Sequence, residues 1–251
     1  MVYIPVALEL YSVHKELAEN PWAVMKAVKA MGYEGVEFAG NPQYRPEFYA
    51  ALLKESGLVC CGWHTGWGNV QPETIDATIE LNLAVGNKYV IIPALSANSH
   101  DEWAKRAEEL NAVAEKLAHY GMKTGYHCHP GDFKLLDGKR PWDTFMGVAS
   151  ERTVFQLDVG NAMEGGADVL AELKAHPGRC QTIHLKPWSK AKGFEPLIGD
   201  DDVPWRQIFD FCAGPGATEW FIIEYECPAL PPMEAVEKCL KNTKRLLGQS
   251  C

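Results

Sequence analysis

Short apolar runs rich in β-branched and aromatic residues recur along this chain, and longer stretches with helical spacing separate them. Candidate strands fall at 3–10, 34–38, 58–63, 88–93, 123–127, 153–158, 180–185 and 219–225. Helix punctuation lies between them. Asn20 precedes Pro21 as a cap before a first-turn proline, and Pro46, Pro72 and Pro141 can also open helices. Ser99-His100-Asp101-Glu102 has the form of a capping box ahead of Trp103, Ala107, Leu110, Ala114 and Leu117, a helical stripe that stops near Gly121. A last helix is expected after Pro231-Pro232, over about 231–247.

Strands and helices alternating in units of roughly 30 residues predict a (β/α)8 TIM barrel, an α/β fold, with residues 1–251 as a single domain. A doubly wound open sheet is the alternative, but no glycine-rich phosphate fingerprint follows the first strand. No composition shift, linker or low-complexity tract divides the chain. One irregular stretch stands out, Pro187 to Pro204, carrying Lys190, Lys192, Gly193 and Asp200-Asp201-Asp202. A loop of that length in a compact domain is usually functional.

Four late stretches end an apolar run on side chains of metal-ligand type: Tyr126-His127-Cys128-His129, Gln156-Leu157-Asp158, Ile183-His184-Leu185-Lys186 and Ile223-Glu224-Tyr225-Glu226. At strand periodicity, His127 and His129, Gln156 and Asp158, His184 and Lys186, and Glu224 and Glu226 share one face. Phe155, Leu157, Ile183, Leu185, Ile223 and Tyr225 fall on the other. The same parity adds Glu37 and His64. Any one of these residues alone reads as a hydrogen-bonded or ion-paired rim residue. Together the four late strand endings can aim two imidazoles and two carboxylates at one point, where active groups of such barrels sit. A buried cluster of that kind needs a cation to offset its cost.

Charge and length remove other classes. A net charge of −9 argues against nucleic acid or an anionic membrane as partner. No apolar run approaches the ~20 residues of a membrane span, and Met1-Val-Tyr-Ile-Pro lacks the features of a signal segment. The eight cysteines include no Cys-x-x-Cys pair and read as small buried thiols, which points to the cytoplasm. A homo-oligomer is left open.

Beyond these patterns, the chain resembles the xylose-isomerase-like barrels of the sugar phosphate isomerase/epimerase group over nearly its full length. Gly-Tyr-His127-Cys128-His129 is similar to that group's Tyr-His-Asn-His motif, with Cys128 in place of Asn. Leu157-Asp158-Val-Gly-Asn161 is similar to its sixth-strand Asp motif, His184-Leu-Lys186 to its His-Leu-Lys motif, and Ile223-Glu224-Tyr-Glu226 to its terminal Val-Glu motif. The resemblance implies one divalent cation held by Asp158, His184 and Glu224, with His127 at the strand-five position where many epimerases carry Glu. His129 competes for that place. Mixed nitrogen and oxygen ligation suits Zn, Mn or Co.

The implied chemistry is metal-assisted proton transfer beside the carbonyl of a sugar or keto-sugar, by an isomerase or epimerase working through an enediolate. Glu224 is the expected base, with His127 or His64 as the acid/base on the opposite face. Lys186 is expected to stabilise an oxyanion, or else to pair with Glu226 or Asp158. Glu37, His64, Trp67 and Glu226 are expected to contact substrate, and Trp63, Trp67, Trp188 and Phe194 to wall the barrel mouth. Trp22, Trp103 and Trp142 read as core. The alternative reaction is β-elimination by a dehydratase or lyase acting on a keto-inositol or 3-keto-glycoside. Two other classes stand further off. A DNA-repair endonuclease on this barrel type would need a basic face, and a non-catalytic sugar-binding role would need no metal. The substrate is expected to be a non-phosphorylated carbohydrate, because no glycine-rich anion nest follows strands seven or eight.

Overall fold

The computed structural model describes residues 2–249. Its strands are β1 (Val6–Glu9), β2 (Gly35–Ala39), β3 (Val59–His64), β4 (Tyr89–Ile92), β5 (Lys123–His127), β6 (Val154–Gln156), β7 (Thr182–Leu185) and β8 (Trp220–Ile223). Every predicted strand is present; β5 keeps its expected bounds, β2 and β3 are displaced by one residue toward the C-terminus, and the others are shorter than expected. All pair in parallel in the order β6-β5-β4-β3-β2-β1-β8-β7, so β1 joins β2 on one side and β8 on the other. The seam between β6 and β7 is closed by a single bridge, Asp158 to His184, where the His184 N–H donates to the Leu157 carbonyl at 2.9 Å. Helices on the outside complete a TIM barrel.

Period-two alternation sorts the side chains. Val36, Phe38, Phe155, Leu157, Ile183, Leu185 and Ile223 point outward into the main apolar core beneath the helices. Inside, Ala7, Cys61 and Ile222 form one small cluster, Tyr89, Ile91 and Val154 another, and Trp220 packs on both. The rings of Trp220 and Tyr89 plug the barrel near the strand starts. Glycine is required beside them: a Cβ on Gly35 would come 2.8 Å from the Trp220 ring. Above this apolar plug lies a polar layer of Glu9, Glu37, Gln156, Thr182 and His184, each 0% exposed. A register shift between Val36 and Glu37 leaves Cys61 as an extra residue in β3, a bulge that re-aims the strand.

Helix signals held with two corrections. Asn20 accepts from the Ala23 N–H at 3.1 Å, and helices open on Pro21, Pro46, Pro141 and Pro232. Pro72 opens no helix. The Thr74 hydroxyl donates to the Gly68 and Gln71 carbonyls, holding a turn, and the helix begins at Ile75. Ser99 caps His100–Ala118, but Glu102 reaches the Asn98 N–H instead of completing the box with Ser99. The stretch 187–204 is tied down by a Ser189–Gly193 bridge, by buried Ile198, and by Asp201 accepting from the Trp205 indole. Trp103 and Trp142 are core, and Trp22 packs at its edge. The cysteines among the described residues are free thiols, all buried except half-buried Cys227. Met1 and Cys251 lie outside the described residues. No described helix is long and apolar enough to cross a membrane.

Candidate active site

The strand ends converge. His127, Asp158, His184 and Glu224 each offer a ligand atom, and these atoms all lie within 4.8 Å of one another, on buried side chains. His184 also belongs to a deeper group with Glu9, Glu37 and His64. It is therefore the hinge between two polar layers.

Local structure explains how Asp158 is presented. It caps the helix Val159–Glu164, its Oδ1 accepting from the Asn161 N–H at 2.7 Å. That leaves Oδ2 buried with no hydrogen-bond partner, 3.9 Å from His127 Nε2 and 3.9 Å from Lys186 Nζ. An orphaned carboxylate oxygen beside two imidazoles and a second carboxylate fits a divalent cation of borderline softness. Cys128, where the resembled motif has Asn, bonds the next strand end. Its Sγ accepts from the Asp158 N–H at 3.2 Å, and its carbonyl accepts from Asn161 Nδ2 at 3.1 Å. The thiol thus ties β5 to β6 next to the donor group.

Beneath the donors runs a hydrogen-bonded chain. His184 Nδ1 lies 2.7 Å from Glu224 Oε2, and Nε2 lies 2.6 Å from Glu37 Oε2. Gln156 is the hub. Its Nε2 donates to Glu37 Oε1 at 3.0 Å and to the Thr182 hydroxyl at 3.0 Å, while Oε1 accepts from His64 Nε2 at 2.7 Å and His127 Nδ1 at 3.1 Å. A Cβ on Gly62 would stand 2.0 Å from Glu37 Oε1, so β3 needs glycine there to admit the carboxylate.

The charges follow from these contacts. Burial alone would raise Glu224, but the Lys186 ammonium and the His184 hydrogen bond hold it well below the usual carboxylate range. Glu37, also against burial, is drawn down to about 2 by His64 and His184. Burial opposes charge on His184, yet its two carboxylate partners push it well above an ordinary imidazole. Burial, reinforced by His184, lowers His127 strongly. Burial also lowers His64 and His129. Asp158 is raised by burial to about 7, with Lys186 opposing. These contacts favour the charged form of His184, between two carboxylates, and the neutral forms of His127 and His64. A cation entering this group would take the place of the His184 Nδ1 proton.

A cavity of about 950 Å³ opens above, lined by His64, His127, His129, Lys186, Glu224 and Glu226, among others. Lys186 Nζ pairs with Glu226, stands 3.4 Å from Glu224 Oε1, and sits 5.5 Å from the Phe194 ring centroid. Its expected ion pairing is thus present within the cavity wall. His129 lies at the rim, its ring 5.1 Å from that of His127, outside the four-donor group.

Several expected substrate contacts lie elsewhere. Glu37 is fully buried and absent from the cavity wall, because its carboxylate is spent on His184 and Gln156. Trp63 is 2% exposed, stacked on Phe38 with its indole donating to the Gly40 carbonyl. Trp67 packs beside Arg106, and the Trp188 indole is turned to Glu164. Neither lines the cavity, and of the four expected aromatics only Phe194 does. Sequence reasoning gave no role to Glu9, whose Oε2 is buried without a partner and whose carboxyl is pushed well above the usual range by burial and by Glu37. Its signal was an acid closing the apolar run of β1. Gln156 shared the right parity, but its role as hub was not anticipated.

Known proteins share this sequence pattern and fold. The rhizopine catabolism protein MocC of Rhizobium meliloti is 23% identical, over 80% of this chain and 73% of its own. An inosose dehydratase of Clostridium botulinum is 28% identical, over 78% of each chain. A sugar phosphate isomerase/epimerase from Parabacteroides distasonis superposes with a TM-score of 0.84 at 19% identity, covering 96% of this chain and 94% of that one. Residues 25–246 match the family described as xylose isomerase-like TIM barrel, and the chain is an enzyme of that family.

Proposed function

We propose that this enzyme moves a proton beside the carbonyl of a non-phosphorylated sugar or keto-sugar, with a divalent cation held by His127, Asp158, His184 and Glu224. The observation that carries the reading is the convergence of those four donors, one with an orphaned oxygen, under a cavity that also exposes an ionised Glu224. Such a cation supplies Lewis acidity toward a carbonyl oxygen and its neighbouring hydroxyl.

Glu224 removes the α-proton, the Lys186 ammonium beside it holding the carboxylate ionised until the transfer. His64, which lines the cavity outside the four-donor group, serves the opposite face as acid/base, while His127 is left to the cation, its Nδ1 being bonded to Gln156. Glu226 and Lys186 contact substrate hydroxyls. Glu37 takes a different part from the one expected: it orients His184 from below. Returning the proton to the other face, or to the neighbouring carbon, makes the enzyme an epimerase or isomerase.

One distance favours a second reading. Lys186 Nζ stands 3.4 Å from Glu224 Oε1 on the same wall, so base and acid sit side by side. That arrangement suits syn elimination of a β-hydroxyl from a keto-inositol, or of the aglycone alcohol from a 3-keto-glycoside.

Incubation in D2O with a panel of ketoses, an inosose and 3-keto-glycosides tests both. Deuterium incorporation without loss of mass supports epimerisation, and an enone with loss of water or alcohol supports elimination. If Glu224→Gln and His184→Ala change neither metal content nor solvent exchange, the site assignment fails.

A further inference from the structure

A second cavity of about 390 Å³ adjoins the catalytic one, and Tyr11 and Ala39 line both. Ala39 ends β2 and pairs in register with His64, itself part of the catalytic wall. The junction therefore lies one strand from an imidazole proposed for proton transfer.

The walls of this side cavity differ in kind from those of the catalytic one. Phe38, Tyr49 and Trp63 interlock behind it, with ring centroids 4.7 to 5.4 Å apart. Tyr44 stacks on Phe48 at 4.1 Å across the mouth and is 51% exposed. Among the described residues no Lys, Arg, Asp or Glu side chain lines it, its polar members being His14, Asn41, Gln43 and the tyrosines, whereas Lys186, Lys192, Glu195, Glu224 and Glu226 line its neighbour. The aromatic wall is held in place: the Tyr49 hydroxyl accepts from the Gln43 N–H at 2.9 Å and the Tyr44 N–H at 3.4 Å. This is a preformed aromatic-walled recess, with Asn41 and Gln43 also in its wall, opening onto a carboxylate-rich one.

We propose that the side cavity is a subsite for an uncharged aromatic ring carried by the sugar, which makes the substrate a keto-glycoside of an aromatic alcohol rather than a free monosaccharide. The inference rests on the sugar reading of the catalytic cavity. Together the two cavities suit a ligand of more than one ring, with the polyhydroxy part among the carboxylates and the apolar part among the aromatics. An anionic substituent is disfavoured, because among the described residues neither Lys nor Arg lines the side cavity.

Calorimetric titration of the metal-loaded enzyme with 4-nitrophenyl β-D-glucopyranoside and with methyl β-D-glucopyranoside tests this. The aromatic glycoside is expected to bind about tenfold more tightly, the worth of one good ring contact. Ala39→Phe fills the junction and Tyr44→Ala removes an exposed wall residue, and in each the ratio of the two affinities should fall toward one. A ratio near one in the unaltered enzyme, absence of binding by both probes included, overturns the subsite, as does a ratio that survives both substitutions. Turnover of keto-sugars is read separately in the D2O assay. A high affinity ratio without turnover would sink the proposed reaction and leave the subsite standing, and turnover with a ratio near one would do the reverse.

Discussion

Glu37 Oε2 stands 2.6 Å from His184 Nε2, deep in the barrel and out of reach of the cavity. A carboxylate in that place fixes which imidazole nitrogen carries the proton and turns the other, Nδ1, toward Glu224 and the donor group. Outer-shell partners of this kind set both the orientation and the basicity of a ligating histidine.

Replacing Glu37 by Gln should therefore weaken binding of Mn²⁺ by about 10- to 100-fold, measured by calorimetry on the purified protein. Unchanged affinity would show that His184 does not depend on Glu37 for its orientation.

Gly62→Ala attacks the same contact without touching a polar group, since the new Cβ would stand 2.0 Å from Glu37 Oε1. Overpacking here should cost about 1–3 kcal/mol and lower metal affinity as well. Gly147→Ala, in the helix Pro141–Val148 with no heavy atom within 4 Å of its Cβ, should instead be neutral or stabilising by up to about 1 kcal/mol. Urea denaturation of both variants makes the comparison.

Asp132 supplies a pH dependence away from the donors. It accepts from the His129 N–H and the Tyr126 hydroxyl, but burial raises its carboxyl from 3.8 to about 6. The folded protein then binds the proton more tightly than the unfolded chain, so this group's contribution to stability falls as pH rises from about 4 to about 6. Between pH 4 and 7, Asp132→Asn should gain up to about 3 kcal/mol relative to the parent. Denaturant midpoints for the pair at both pH values measure it, and a constant difference would refute the assignment.

Lys186→Met separates the two reaction readings. If Lys186 protonates a leaving hydroxyl, the variant should lose product formation by elimination, by at least about 100-fold, while solvent deuterium exchange persists. Equal loss of both would restrict Lys186 to holding Glu224 in its ionised state.

The alternation of apolar and polar positions determined the barrel, because strands buried on one face by helices must repeat at period two and end at one rim. The four donors were legible for the same reason: parity alone aims His127, Asp158, His184 and Glu224 inward. Parity does not report depth. Glu37 and His64 share that inward direction, yet a register shift in β3 and a glycine at 62 let Glu37 sink beneath His184, while His64 stays in the cavity wall. The sequence showed aromatics near strand ends, but whether Trp63 faced a ligand or the core depended on the bulge beside it. Only three-dimensional packing placed Gln156 among His64, His127 and Glu37, and only packing joined a neutral aromatic recess to the catalytic one. Those relationships arise between strands distant in sequence, where contact is decided by register and stagger rather than by local pattern.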